Sequence, residues 1–361
     1  MASKRILYIV PHRLNRSPGQ RFRCEHFIPI LQENGYEIKY SNLLSKWDDV
    51  HFYKKGAYIL KLFIFIKSFI KRSFDVLFVF RYDAIFIYRE AFMIGTTVFE
   101  RAFKLSGKPI IYDFDDSIWL NDTSEGNQNL AWLKKSEKTN TIISLSTLVI
   151  VGNEYLANHA KKYNPNVQII PTTIDTDYHL PKQKSDSNQI CIGWTGTETT
   201  LKHFRLLENV LLDIQKEYGD KVIFKQINNI IYENKNLNLI STLWSAENEI
   251  EKLQRIDIGI MPLPNDEWSK GKCGFKGLQY MSLEIPTIMS PVGVNTEIIE
   301  HGVNGFLAET DEDWKKYLRM LIDNETLRKE IGKKGRQTII EKYSISSQKD
   351  RYLALFKEVI L

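Results

Sequence analysis

Cysteine is scarce in this chain of 361 residues: Cys24, Cys191 and Cys273 are three, odd in number and far apart. That excludes a disulfide framework and a Cys-x-x-Cys metal or redox motif, and it favours a reducing compartment. Cys273 stands in a loop of interest, but a lone loop cysteine reads as incidental rather than catalytic. Long uncharged apolar runs are missing too. The most hydrophobic stretch, YILKLFIFIKSFIKRSF, is broken by Lys61, Lys67, Lys71 and Arg72 and is not expected to span a bilayer. No internal repeat or low-complexity tract is evident. Met1 is followed almost at once by a strand-like run without a leader of the secretory kind, which predicts a cytoplasmic protein.

The net charge of +5 is unevenly spread, with about twice as many Lys and Arg as Asp and Glu up to Lys108 and a mildly acidic remainder. No nucleic-acid reading motif accompanies the basic half, so no nucleic-acid partner is expected. The basic, aromatic segment 52–80 admits two arrangements. It lies in the interface of an anionic membrane with its lysines toward lipid head groups, or it packs its apolar side on a sheet as an ordinary amphipathic helix.

Short β-rich runs alternate with helical patterns along the whole chain, the signature of a parallel sheet wound with helices. Arg5–Pro11, Ala84–Tyr88, Pro109–Tyr112 and Leu148–Val151 read as buried strands of a first domain. Gln189–Trp194, Ile256–Pro262 and Thr287–Ser290 read as strands of a second. At this length two domains are expected, 1–175 and 176–344, with 345–361 returning to the first. The boundary falls in the polar stretch Thr173–Asn188.

The most informative segment is Gly271–Ala308, GKCGFKGLQYMSLEIPTIMSPVGVNTEIIEHGVNGFLA. A loop rich in Pro, Asn, Ser and Gly leaves the strand at Pro262. A helix starts near Phe275 and ends before Pro286, placing Lys276 and Gln279 at i, i+3. After the next strand and the turn Pro291–Gly293, Asn295 caps a second helix that runs to Glu300, with Gly302 as its stop. Two successive strand ends thus meet helix N-termini, and in an open α/β sheet such a crevice receives ligands, phosphate above all.

The pieces GFKGLQYM, LEIPTIMS, PVGVNTEII and HGVNGFLA resemble, in order, the C-terminal domain of GT-B glycosyltransferases of family 4. VQIIPTTID at Val167–Asp175 resembles that family's crossing between domains. The resemblance covers nearly the whole chain and is weakest from Asn42 to Asp83. It implies two Rossmann-like doubly wound α/β domains facing a cleft, with the last helix crossing back to the first domain. It implies a retaining glycosyltransferase of the hexosyltransferase type (EC 2.4) that moves sugar from a nucleoside-diphosphate sugar to a glycan or lipid-linked acceptor in surface polysaccharide synthesis. No cofactor and no metal are expected, and the protein works in the cytoplasm, at the inner face of the membrane.

For the donor, the resemblance implies roles for Lys202, Gly193, Thr195, Gly274, Phe275, Lys276, Gln279 and Glu297. A diphosphate leaving group needs fixed cations and amides, which Lys276 and Lys202 supply, with Arg205 sharing the latter's face. Gln279 stands where the family has the second of two glutamates eight positions apart, and its amide serves ribose hydroxyls. Gly271 replaces the first, so Ser269, Lys272 or the amides of Gly274 and Phe275 take over sugar contacts. Glu297 matches a family glutamate or favours its helix N-terminus. The base is expected near Trp244–Glu249 and Met261–Pro264.

On the acceptor side, His12, Arg21, Asp115 and Asp116 are the candidates, at strand ends or in the loop Ser17–Arg23. A carboxylate here orients or deprotonates the acceptor hydroxyl, or offsets nearby arginines. Asp115 and Asp116 lie on different sides of an extended backbone, so one of them at most acts. Asp113–Asp115 is spelled like a metal-binding DxD but is not expected to hold one. Two rival functions share the fold: a sugar-nucleotide epimerase, which needs no acceptor, and a degenerate homologue that binds glycans or scaffolds partners.

Overall fold

The computed structural model describes residues 3–54, 56–120, 135–182 and 189–360. Lys55 and the stretch 183–188 of the expected boundary lie outside the described residues. Two compact units appear, one comprising the chain up to Thr173 together with Gln348 onward, the other Ile174–Ser347.

The first unit is built on a six-stranded parallel sheet of β1 (Lys4–Val10), β2 (Tyr36–Asn42), β3 (Ala84–Tyr88), β4 (Ile110–Phe114), β5 (Leu148–Val151) and β6 (Val167–Ile169), in the order β2-β1-β3-β4-β5-β6. β1, β3, β4 and β5 are buried almost throughout, which their runs of Ile, Val, Phe and Tyr permit and which a parallel sheet covered on both faces requires. The winding direction reverses between β1 and β3, opening a crevice at their carboxyl ends. The end of the chain completes this core. Tyr352 stacks on Phe27 with centroids 3.9 Å apart, and Phe356 lies 6.1 Å from Phe86.

The second unit repeats the plan with β7 (Ile190–Thr195), β8 (Val222–Asn228), β9 (Leu239–Leu243), β10 (Ile258–Met261), β11 (Thr287–Met289) and β12 (Phe306–Leu307), ordered β12-β11-β10-β7-β8-β9 and parallel throughout. Its switch point lies between β7 and β10. Trp194, Phe204, Leu211, Ile258, Ile260 and Leu318 form the centre of one apolar core beside this sheet.

The segment 52–80 differs from what was expected of it in where its cations point. It forms the helix Tyr58–Leu77, yet Lys61 and Arg72 are buried and large apolar side chains face outward. The reason is a demand for donors inside. The Arg72 guanidinium donates to the carbonyls of Val10, Ser41 and Ala91, to Ser41 Oγ and to Asp75, thereby satisfying acceptors at the ends of β1 and β2. Lys67 reaches the buried Asp48, and Lys71 the carbonyl of Asn42. Among the described residues no helix is long and apolar enough to cross a membrane.

Candidate functional site

In the second unit, three segments converge at the β7/β10 switch point. β7 runs into Gly196 and the helix Leu201–Arg205; β10 runs through Pro262–Asn265 into the short helix Glu267–Lys270 and then the helix Phe275–Ser282. Gly274 caps the latter with φ +68°, and a Cβ there would stand 2.2 Å from Ile298 Cδ1, so glycine is strongly favoured at this entry. The same Cβ would lie 3.6 Å from Asn295 Oδ1, which shows how closely the turn after β11 backs this loop. Tyr280 ties the helix to the sheet, its hydroxyl accepting from the Thr195 amide at 2.7 Å.

The electrostatics of this corner are cationic. His203 is buried, and its pKa is pushed down to about 3 by burial first and then by Lys276, Lys272 and Lys202, with Asp266 opposing. Three ammonium groups thus act electrostatically on one neutral imidazole. Lys276 Nζ sits 5.8 Å above the Trp194 ring. Buried polar atoms wait in the same loops: among the described residues His203 Nδ1, Ser269 Oγ and Asn295 Oδ1 have no hydrogen-bond partner. Fixed cations with unsatisfied donors and acceptors at a sheet switch point suit a phosphate-bearing ligand. A cavity of about 320 Å³ opens beside these loops, against Pro262–Asn265, Pro291 and Trp314, and the basic cluster does not line it.

Several expected residues occupy other positions than the sequence implied. Gly193 lies within β7, and the space a side chain would fill is taken by Ile256, 2.3 Å from an ideal Cβ. This glycine therefore serves packing rather than approach to a ligand. Gln279 is buried, and its Nε2 donates to Glu249 Oε1 at 3.0 Å, the oxygen that also accepts from Trp244 Nε1. Trp244 is thereby committed to this polar pair. Arg205 turns to the Tyr232 ring, 5.0 Å away, instead of sharing the Lys202 face. Asn295 is not the cap of its helix: Val294 is, the helix covers only Asn295–Ile298, and the Asn295 amide donates back to the Ser290 carbonyl. Glu297 is exposed on that single turn. Phe275 opens the helix that carries Lys276.

In the first unit, Asp113, Asp115 and Asp116 follow one another out of β4. Asp113 is fully buried and paired bidentately with Arg23, at 3.1 and 2.8 Å. Arg89 has φ +60° at the end of β3 and binds Asp115 Oδ1 at 2.7 Å and Asp116 Oδ2 at 2.5 Å. The two carboxylates therefore share one guanidinium. The extended alternation expected for them fails because β4 ends at Phe114 and the chain bends at Asp116. Tyr88 donates to Asp115 Oδ1 at 2.9 Å. Burial works to raise the Asp115 pKa, but Arg89 and Arg23 outweigh it and hold the carboxyl below its ordinary value. Gly19 faces this cluster: a Cβ would come within 2.9 Å of Asp115 Oδ2.

His12 leaves β1 toward Asp49, with Nδ1 and Oδ1 3.6 Å apart. Arg16 donates to the same carboxylate at 3.0 Å, and Arg13 joins it. Burial acts to raise the Asp49 pKa, yet His12, Arg16 and Arg13 together keep it low. Gln20, fully buried, clamps His12 by accepting from its amide at 3.1 Å and donating to its carbonyl at 2.9 Å. Arg21 lies over Phe22, 4.4 Å from the ring centroid. No individual role for Arg23, Gln20, Asp49, His203 or Glu249 is legible in the sequence. A buried partner distant in sequence gives each its role, and no local pattern carries that information.

Comparison with known proteins adds to this geometry. Residues 196–338 match the glycosyl transferases group 1 family. An uncharacterized glycosyltransferase of Methanocaldococcus jannaschii is 30% identical over 150 residues, a match that spans 40% of this chain and 41% of that protein. Among solved structures, a glycosyltransferase from Rickettsia africae superposes with a TM-score of 0.69 at 13% identity, covering 100% of this chain and 99% of the other. Sucrose-phosphate synthase from Thermosynechococcus elongatus gives 0.67 at 10% identity, with 99% of both chains covered. HepE of Anabaena, solved with UDP and glucose, gives 0.65 at 11% identity, covering 98% of this chain and 100% of that one. The fold is GT-B.

Proposed function

We propose that this protein is a retaining glycosyltransferase that moves a hexose from a nucleoside-diphosphate sugar to the hydroxyl of a glycan or lipid-linked acceptor. The observation that carries the reading is the gathering of Lys202, Lys272 and Lys276 around neutral His203 at the β7/β10 switch point, inside the segment that matches the family. As the glycosidic bond breaks, negative charge builds on the leaving diphosphate, and these ammonium groups oppose it. His203 stays neutral and offers a polar nitrogen without competing as a cation. Gln279, held through Nε2 by Glu249, presents Oε1 to a ribose hydroxyl.

The acceptor hydroxyl attacks from the side the diphosphate leaves, and a leaving-group oxygen takes its proton. No protein nucleophile and no metal enter this scheme. Asp115 and Asp116, fixed by Arg89, orient the acceptor. HepE was solved with UDP-glucose, so UDP-glucose is the first donor to try. The assay is release of nucleoside diphosphate from nucleotide sugars with and without acceptor glycans. Acceptor-dependent release with a new glycosidic bond supports the reading. Interconversion of the sugar without acceptor would replace it with an epimerase, and a protein that binds glycan but turns over no donor would be a degenerate homologue. Surface polysaccharide synthesis at the cytoplasmic face of the membrane is the setting this reading implies.

A further inference from the structure

The helix Tyr58–Leu77 has its amphipathicity turned inside out relative to its own cations. Outward stand Ile59, Leu62, Phe63, Ile66, Ile70 and Phe74, with Ile59 at 85% and Leu62 at 59% exposure. Their spacing of three and four residues makes one stripe along 20 residues, about 30 Å of helix. The stripe continues sideways. Trp47 meets Phe63 edge-on at 6.4 Å, and on the other flank Phe69 meets Phe99 at 5.0 Å, beside the half-exposed Val98. A contiguous apolar surface of this extent is uncommon on a protein that stays in water.

The charge around it has one sign. Among the described residues from Lys46 to Lys108, the exposed charged side chains are Lys46, Lys54, Arg81, Arg101 and Lys104, all basic. Asp48, Asp49 and Glu100 are buried, and Asp75, Asp83 and Glu90 are half-buried. Arg81 lies over Phe78 at 4.6 Å, a cation set on the apolar surface itself. A second copy of this face would bring like charges together, which opposes association. Anionic lipid head groups would meet the cations while the acyl boundary receives the apolar stripe.

We propose that this face docks the protein on an anionic bilayer, with the helix Tyr58–Leu77 lying in the interface and its aromatic and aliphatic side chains inserted. Affinity comes chiefly from insertion, since the helix's own Lys61, Lys67, Lys71 and Arg72 are committed inward; the flanking cations choose the lipid. The proposal is independent of the donor chemistry, because its test reads membrane binding alone.

The experiment is sedimentation of the full chain with vesicles of phosphatidylcholine, with and without phosphatidylglycerol. Binding to the anionic vesicles is expected, with partial survival in high salt. The triple variant Leu62→Gln/Phe63→Gln/Ile66→Gln should lower the partition coefficient by about tenfold or more. Lys54→Glu/Arg101→Glu/Lys104→Glu should lower it on anionic vesicles only. Ile59→Asp, at the most exposed position of the stripe, gives the same test with little risk to folding. Three results overturn the proposal: no binding to either vesicle, undiminished binding of the apolar variants, or a dimer in analytical ultracentrifugation that those variants convert to monomer.

Discussion

Replacing Lys276 by alanine tests the proposed contact with the donor diphosphate. The ammonium sits 5.8 Å over Trp194 and is, after burial, the largest cause of the depressed His203 pKa. A hydrogen bond from such a cation to an ionised oxygen contributes about 1.5–3 kcal/mol, so removing it should raise the Kd for UDP roughly tenfold to a hundredfold. Uridine, lacking phosphate, should bind the variant as it binds the parent. Lys276→Met keeps the aliphatic stem over Trp194 and removes only the charge, and it should reproduce the loss. Titration calorimetry of both ligands against parent and variants measures this. A second readout follows the imidazole: without the ammonium, the His203 pKa should climb from about 3 toward its ordinary value, visible in its NMR titration. Equal losses for UDP and uridine would refute a phosphate role for Lys276.

Asp115→Asn and Asp116→Asn should leave donor affinity largely intact while slowing transfer, and unchanged kcat in both would move the acceptor chemistry elsewhere. Asp113→Asn leaves the Arg23 guanidinium buried without its counter-charge and should destabilise the fold by about 3–5 kcal/mol, whereas Arg23→Met/Asp113→Leu should recover much of it in urea unfolding. Gly274→Ala places a Cβ at φ +68° against Ile298; the left-handed backbone alone costs about 1–2 kcal/mol, so the midpoint of unfolding should fall and UDP affinity with it. His203 is neutral in the folded protein but takes a proton near 6.5 when unfolded, so its contribution to stability is complete above about 6.5 and declines as pH falls toward 3. Unfolding free energies at a series of pH values should show that slope, and His203→Gln should flatten it.

How far the sequence alone reaches differs between the two levels of structure. Strand positions were legible because parallel strands are buried on both faces and read as unbroken apolar runs, as in Ala84–Tyr88 or Leu148–Val151, where the expected and observed limits coincide. The helix at Phe275 was legible from glycine before it and Pro286 beyond its end. The direction of side chains was not. The helix Tyr58–Leu77 has an amphipathic period, but which side faces in depends on carbonyls of Val10, Ser41 and Ala91 that need Arg72. Likewise Gln279 shares the face of Lys276 in a helical projection, yet its Nε2 is taken by Glu249, 30 residues away, leaving Oε1 as its remaining acceptor. The Arg89 bridge between Asp115 and Asp116 rests on a backbone bend that no alternation rule contains. Local periodicity fixes elements; long-range polar partners fix the orientation of the site.

The central claim is that the β7/β10 switch point binds a nucleoside diphosphate sugar. Its most direct test is a thermal-shift screen of the purified protein against UDP, GDP, ADP and their common sugar conjugates, with and without a divalent cation. A rise in Tm with one nucleotide, equal in the presence and absence of metal and lost in Lys276→Ala, is the predicted result. No shift with any of them at saturating concentration would contradict the claim and leave the basic cluster without its proposed ligand.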